Sequence, residues 1–127
     1  LTSSFSILPN LLLTATAVRV PVENCHSESI NIEFEDSFEL YDIKLLLQNF
    51  PGIILADDIE NNIYPLARKV NGNNEVFVGR IRRDFSVKNG INLWVVADNL
   101  RKGAATNAIQ ILEILLKKHW FLSFYML

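Results

Sequence analysis

Arg19 and His26, seven residues apart, are the side chains in this sequence best suited to chemistry on a small charged substrate. A guanidinium presents a planar fork of donors that matches a carboxylate, and it keeps its charge at every working pH. An imidazole titrates nearest neutrality, so it takes up a proton and gives it back. Spacing alone leaves the plainer readings standing, because a strand arginine is usually a solvated or paired charge and many histidines are structural. Cys25 lies directly beside His26, which suggests a nucleophile and its base. Neighbours in an extended chain point to opposite sides, however. Cys25 therefore reads as a small buried apolar residue and not as a catalytic thiol.

Two further stretches carry charge or small residues. Arg80, Arg82 and Arg83 fall on one predicted strand, with Arg80 and Arg82 on one face and Arg83 on the other. That split breaks any continuous basic stripe, and ion pairs with Asp84, Glu75 or a partner subunit are expected instead. In residues 98–105 (DNLRKGAA), cap-type residues precede small ones at the start of a helix. Such a start either receives an anion at the positive helix end or packs closely on a sheet, and both readings stay open. There is no G-x-G-x-x-G, no P-loop and no metal-ligand motif, so the sequence holds no complete cofactor site.

The elements that position these residues follow from periodicity. Residues 12–22 mix β-branched and small types and predict a strand, with Pro21 near its edge or at a bulge. Ile30, Ile32 and Phe34 alternate with Asn31, Glu33 and Glu35, the plainest period-two signal of the chain and the mark of a half-buried strand. Asp36 and Ser37 are cap types ahead of Phe38, Tyr41, Leu45 and Gln48, which predicts a short helix stopped at Phe50-Pro51-Gly52. Residues 53–55 form a brief strand before the turn at Asp57-Asp58. Residues 75–85 and 91–97 read as a β-hairpin around Lys88-Asn89-Gly90. Residues 103–118 place Ala105, Ala108, Ile109, Leu112, Leu115 and Leu116 on one helical face, with Lys117 and Lys118 near the end. About five strands and two helices in mixed order predict an α+β fold: a mixed, largely antiparallel sheet with helices on one face. The second face is left for a subunit contact, and a second copy in a homodimer is the expected partner.

Composition bounds the rest. The chain has 127 residues, 50% hydrophobic, with 12 Lys and Arg against 14 Asp and Glu. One core is feasible at this length, and we read residues 1–127 as a single domain. The slightly acidic balance argues against nucleic acid as a partner. Apolar runs are shorter than the ~20 residues a membrane-spanning helix needs. A lone cysteine forms no internal disulfide, which fits a reducing, cytoplasmic setting. The chain starts with Leu and shows no leader pattern, so a piece of something longer is expected.

Four motifs then combine: residues 18–28 (VRVPVENCHSE), 57–65 (DDIENNIYP), 78–86 (VGRIRRDFS) and 92–107 (NLWVVADNLRKGAATN). Together, in order from about Thr14 to about Leu116, they resemble the C-terminal half of the aspartate-β-semialdehyde dehydrogenase family. The resemblance implies part of a catalytic and dimerisation domain like that of glyceraldehyde-3-phosphate dehydrogenases, with the N-terminal NADP-binding domain absent. It implies NADP- and phosphate-dependent interconversion of aspartate semialdehyde and aspartyl phosphate, used in the reductive direction for lysine (diaminopimelate), threonine and methionine biosynthesis. By the same resemblance His26 is the acid/base, Arg19 grips the substrate carboxylate, and Asn99 touches the nicotinamide end of NADP. The nucleophilic cysteine, its neighbouring glutamine, the basic phosphate ligands and the dinucleotide loop precede this window in the family. The chain alone is thus expected to be inactive and to bind NADP weakly. Position 25 is usually glycine in the family, and residues 119–127 (HWFLSFYML) are far more apolar than the family's polar end. Two alternatives compete: a non-enzymatic self-association module and, less favoured because of RIRRD and NLRKGAATN, an N-acetylglutamyl-phosphate reductase type of domain.

Overall fold

In the computed structural model, which describes the backbone of residues 11–124 and the side chains of residues 11–117, the period-two segment becomes strand β1 (His26–Glu33). It begins four residues before the alternation that announces it. The remaining elements are helix α1 (Leu40–Asn49), strand β2 (Ile53–Leu55), the single-turn helix α2 (Ala67–Val70), strands β3 (Val76–Asp84) and β4 (Gly90–Ala97), a π-helical turn (Arg101–Ala105), and helix α3 (Thr106–Phe124). The sheet order is β1-β4-β3-β2. β4 pairs antiparallel with β1 and β3, and β2 adds to β3 in parallel. This is the mixed, largely antiparallel α+β sheet that the residue pattern predicts.

Register decides which side chains share a face. Pairing of Ile30 with Leu93, of Ile32 with Ile91 and of Val78 with Val95 gathers the branched residues on one side. Leu40, Ile43 and Leu47 of α1, at helical spacing, pack on that apolar face around Val78, Ile81 and Ile91. Each fully buried side chain there contributes roughly 1.5–3 kcal/mol. Asp57 sits at the margin, its side chain 1% exposed, with Lys44 Nζ of α1 2.7 Å from its carboxylate. The Ile81 N–H donates to its other oxygen at 3.3 Å.

The opposite face is covered in part. There Ala67 and Val70 of α2 pack on Phe77, Trp94 and Val96, and Trp94 Nε1 donates to the Pro65 carbonyl at 3.1 Å. Gly79 permits this closeness: a Cβ there would run into the Ala56 carbonyl and lie 2.7 Å from Pro65 Cδ. The rest of the face is polar, with Asn31 Nδ2 donating to Asp84 at 2.7 Å and to Asn92 at 3.1 Å. One helix per face is thus the arrangement, and α2 is an element that periodicity does not announce.

Several expectations are corrected. The strand expected over residues 12–22 does not form: these residues are irregular and exposed. β-propensity produces a strand only where a partner ladder exists, and no other strand pairs with this stretch among the described residues. Around Pro21 the chain makes a tight turn, with Val22 N donating to the Val20 carbonyl at 2.9 Å. α1 starts at Leu40 without a side-chain cap, because Asp36 and Ser37 lie in a segment tied to the hairpin by Asn89 Nδ2 donating to the Glu35 carbonyl at 3.0 Å. Phe38 is drawn onto Phe34, ring centroids 5.0 Å apart. The arginines find other partners than Asp84 or Glu75. A bulge between Gly79 and Arg82 places Arg80 at φ 55, its guanidinium 5.7 Å from the centroid of the Tyr64 ring. Arg83 lies over Phe38, donates to the Phe38 carbonyl and approaches Glu39 at 3.9 Å.

The long helix also differs. Its first turn is wide, with Gly103 N donating to the Asp98 carbonyl at 3.0 Å. The face expected to pack on the sheet does not: Ile109, Leu112, Leu115 and Leu116 are all exposed. The apolar tail at residues 119–127 has side chains outside the described residues.

Candidate active site

The ends of β1 and β4 bring three of the singled-out residues to one corner. His26 opens β1 opposite Ala97, the last residue of β4. Two residues beyond Ala97, Asn99 turns its side-chain oxygen back and accepts the Cys25 N–H at 2.8 Å. Cys25 has φ 78, the left-handed region where an L side chain is strained and glycine is not. That geometry accounts for a position the resemblance marks as glycine.

The Cys25 side chain points inward while His26 is exposed, so the two do not form a nucleophile and base pair. The thiol donates to the Ala67 carbonyl at 3.4 Å and packs on Val70 and Val96. Burial pushes its pKa up, and the negative charge of Asp98 adds to the rise. A raised thiol is a poor nucleophile at neutral pH.

Asp98, in sequence terms a helix cap and nothing more, has a larger part in this corner. Its carboxylate accepts the Gly72 N–H at 2.8 Å, the Leu100 N–H at 2.8 Å and the Arg101 N–H at 3.1 Å. It therefore starts the helix and also ties the end of β4 to the loop after α2. These hydrogen bonds, the Gly72 one first, hold its pKa below the usual carboxylate value.

Asn99 spends its oxygen on Cys25 and keeps Nδ2 without a partner among the described residues. A free amide donor at this corner suits a carbonyl acceptor such as the carboxamide of a nicotinamide. No dinucleotide cradle accompanies it among the described residues. Arg19 is not brought to this corner by any described contact: it lies exposed in the irregular stretch and enters no ion pair among the described residues. Two clefts of about 450 and 280 Å³ border β2 and α2, and neither is lined by Arg19, His26 or Asn99. Among the described residues no group of three metal-ligating side chains occurs.

Comparison with known proteins points one way. The family described as semialdehyde dehydrogenase, dimerisation domain, matches residues 3–102. Aspartate-semialdehyde dehydrogenase of Aquifex aeolicus is 50% identical over 109 residues, 86% of this chain and 32% of that protein. The enzyme of the same name from Bacillus subtilis is 50% identical over 111 residues, 87% of this chain and 32% of its own length. Among solved structures, aspartate semialdehyde dehydrogenase II from Vibrio cholerae aligns with a TM-score of 0.71 and 43% identity over 78% of this chain and 29% of that one. The chain spans about a third of the length of the relatives it matches.

Proposed function

The chain belongs to the semialdehyde dehydrogenase family through its dimerisation domain, and from that membership we propose that it is the catalytic and dimerisation portion of an aspartate-semialdehyde dehydrogenase, working in the cytoplasm. The observation that carries this reading is that His26 and Asn99, the latter bonded to the neighbouring Cys25, lie at one strand end in a chain half identical to enzymes of that name.

In this reading the exposed imidazole of His26 takes the proton of an attacking thiol and returns one to the oxygen of the aldehyde carbon. Covalent catalysis requires a thiolate within reach of that base. Cys25 is turned away and raised in pKa, so the thiol comes from outside this third of the enzyme. Arg19 supplies the fork for the substrate carboxylate. NADP, when bound, supplies the hydride-accepting ring, and the Nδ2 group of Asn99 is the donor this chain offers to its carboxamide. The reaction is the phosphate-dependent oxidation of aspartate semialdehyde to aspartyl phosphate, run in reverse for amino-acid biosynthesis.

The test mixes this chain with the preceding two-thirds of the Bacillus subtilis relative and follows NADP reduction with aspartate semialdehyde and phosphate. We expect turnover only in the mixture, abolished by His26→Ala and retained in Cys25→Ser. Activity of this chain alone, lost in Cys25→Ser, overturns the reading. A homodimer is the second element of the proposal, supported by the family description and by the open polar strip around Asn31 and Asn92. Sedimentation that finds only monomer removes it.

A further inference from the structure

We infer that Asn99 is a positioning residue for His26, acting through the backbone of Cys25; the inference rests on the reading of His26 as the acid/base. Left-handed backbone at a residue with a side chain persists only where its surroundings over-determine it. Three contacts do so at Cys25 (φ 78). Its N–H is held by Asn99 Oδ1 at 2.8 Å, its thiol by the Ala67 carbonyl at 3.4 Å, and its side chain by Val70 and Val96.

Of these, the Asn99 bond governs direction. The β1–β4 ladder ends at the pair His26 and Ala97. Beyond it the Asp98 carboxylate is committed to the N–H groups of Gly72, Leu100 and Arg101. The Asn99 oxygen therefore adds one rung past the end of the sheet, fixing the Asn24–Cys25 peptide, one residue ahead of His26. The His26 ring makes no hydrogen bond among the described residues and is exposed, so its placement depends on the backbone at either side. One side is the ladder and the other is this rung. Asn99 thus carries two separable functions on one amide: the oxygen orients the base, and the nitrogen remains for a ligand.

Amide hydrogen exchange and backbone relaxation of the full chain by NMR test this without turnover, comparing wild type, Asn99→Ala and Asn99→Asp. Asn99→Ala removes the acceptor, and Asn99→Asp keeps it while removing the Nδ2 donor. We expect the Cys25 amide to exchange at least about tenfold faster in Asn99→Ala, with Ile91 and Val96 unchanged, as a local opening does. The His26 backbone order parameter should fall from about 0.85 toward 0.6. Both should return to wild-type values in Asn99→Asp. An unprotected Cys25 amide in wild type, or equal acceleration of Cys25, Ile91 and Val96 in Asn99→Ala, overturns the inference. If Asn99→Ala does not fold, wild-type protection of Cys25 in Asn99→Asp supports it and loss of protection there overturns it. The acid/base reading falls separately, if His26→Ala keeps its activity in the reassembled enzyme.

Discussion

Asp98 is 3% exposed and its carboxylate takes three backbone N–H groups, so its proton affinity links folding to pH. Its folded pKa lies below the unfolded value of about 3.9. Its stabilisation is therefore complete above that unfolded value and is lost as pH falls through the folded one. Denaturant melts between pH 7 and pH 3 should show a steeper acid loss in wild type than in Asp98→Asn, which has no such charge to protonate. Equal acid slopes would exclude the linkage. Burial of the Cys25 thiol has its own signature: a soluble disulfide reagent should label it slowly in the folded chain and at once in denaturant. Core truncation belongs to this scale as well. Ile91, 0% exposed, should lose about 2–5 kcal/mol on change to Ala and about 0.5–1.5 on change to Val, read from urea midpoints.

Among the elements, the joint between β3 and the loop before α2 is the tightest. Gly79→Ala would force a methyl into the Ala56 carbonyl and Pro65, with an expected loss of about 1–3 kcal/mol. Lys44→Met would strand the Asp57 charge between α1 and β3; the lysine is partly exposed, so the loss should be about 1–3 kcal/mol. Asp57→Asn in that background should recover part of it. Strands with a clear period-two pattern are legible from residue types alone: the 75–85 and 91–97 hairpin announces β3 and β4, and the Ile30–Ile32 alternation announces β1 although its partner β4 lies far along the chain. The irregular stretch at 12–22 is not, since Val18, Val20 and Val22 look like a strand whether or not a ladder awaits them. α2 escapes because a single turn has no periodicity; Pro65, two residues ahead of it, is its one local cue. At the site, the inward Cys25 and outward His26 agree with the alternation argument, but Cys25 stands before β1 in left-handed backbone and not in an extended strand. The left-handed Cys25 and its bond to Asn99, 74 residues away in sequence, are products of register and have no local signal.

At the scale of the molecule, the described residues form a small core and leave many apolar side chains exposed. Among the described residues the buried apolar ones are Cys25, Val70, Val78, Ile81, Ile91 and Val96, while Ile109, Ile111, Leu112, Ile114, Leu115 and Leu116 of α3 are each more than half exposed. No helix among the described residues is long and apolar enough to cross a membrane. Because the main contact of α3 among the described residues is with its own π-helical start, a chain ended after residue 105 should keep its urea midpoint and scatter less light at high concentration. A lowered midpoint would place α3 in the core. The wide turn at Arg101–Ala105 sets the phase of everything after it. It holds one residue more than an α-turn, so deleting Ala104 would swing each later side chain by about 100° around the axis. The greasy stripe would then aim in a different direction without a single change to its own letters.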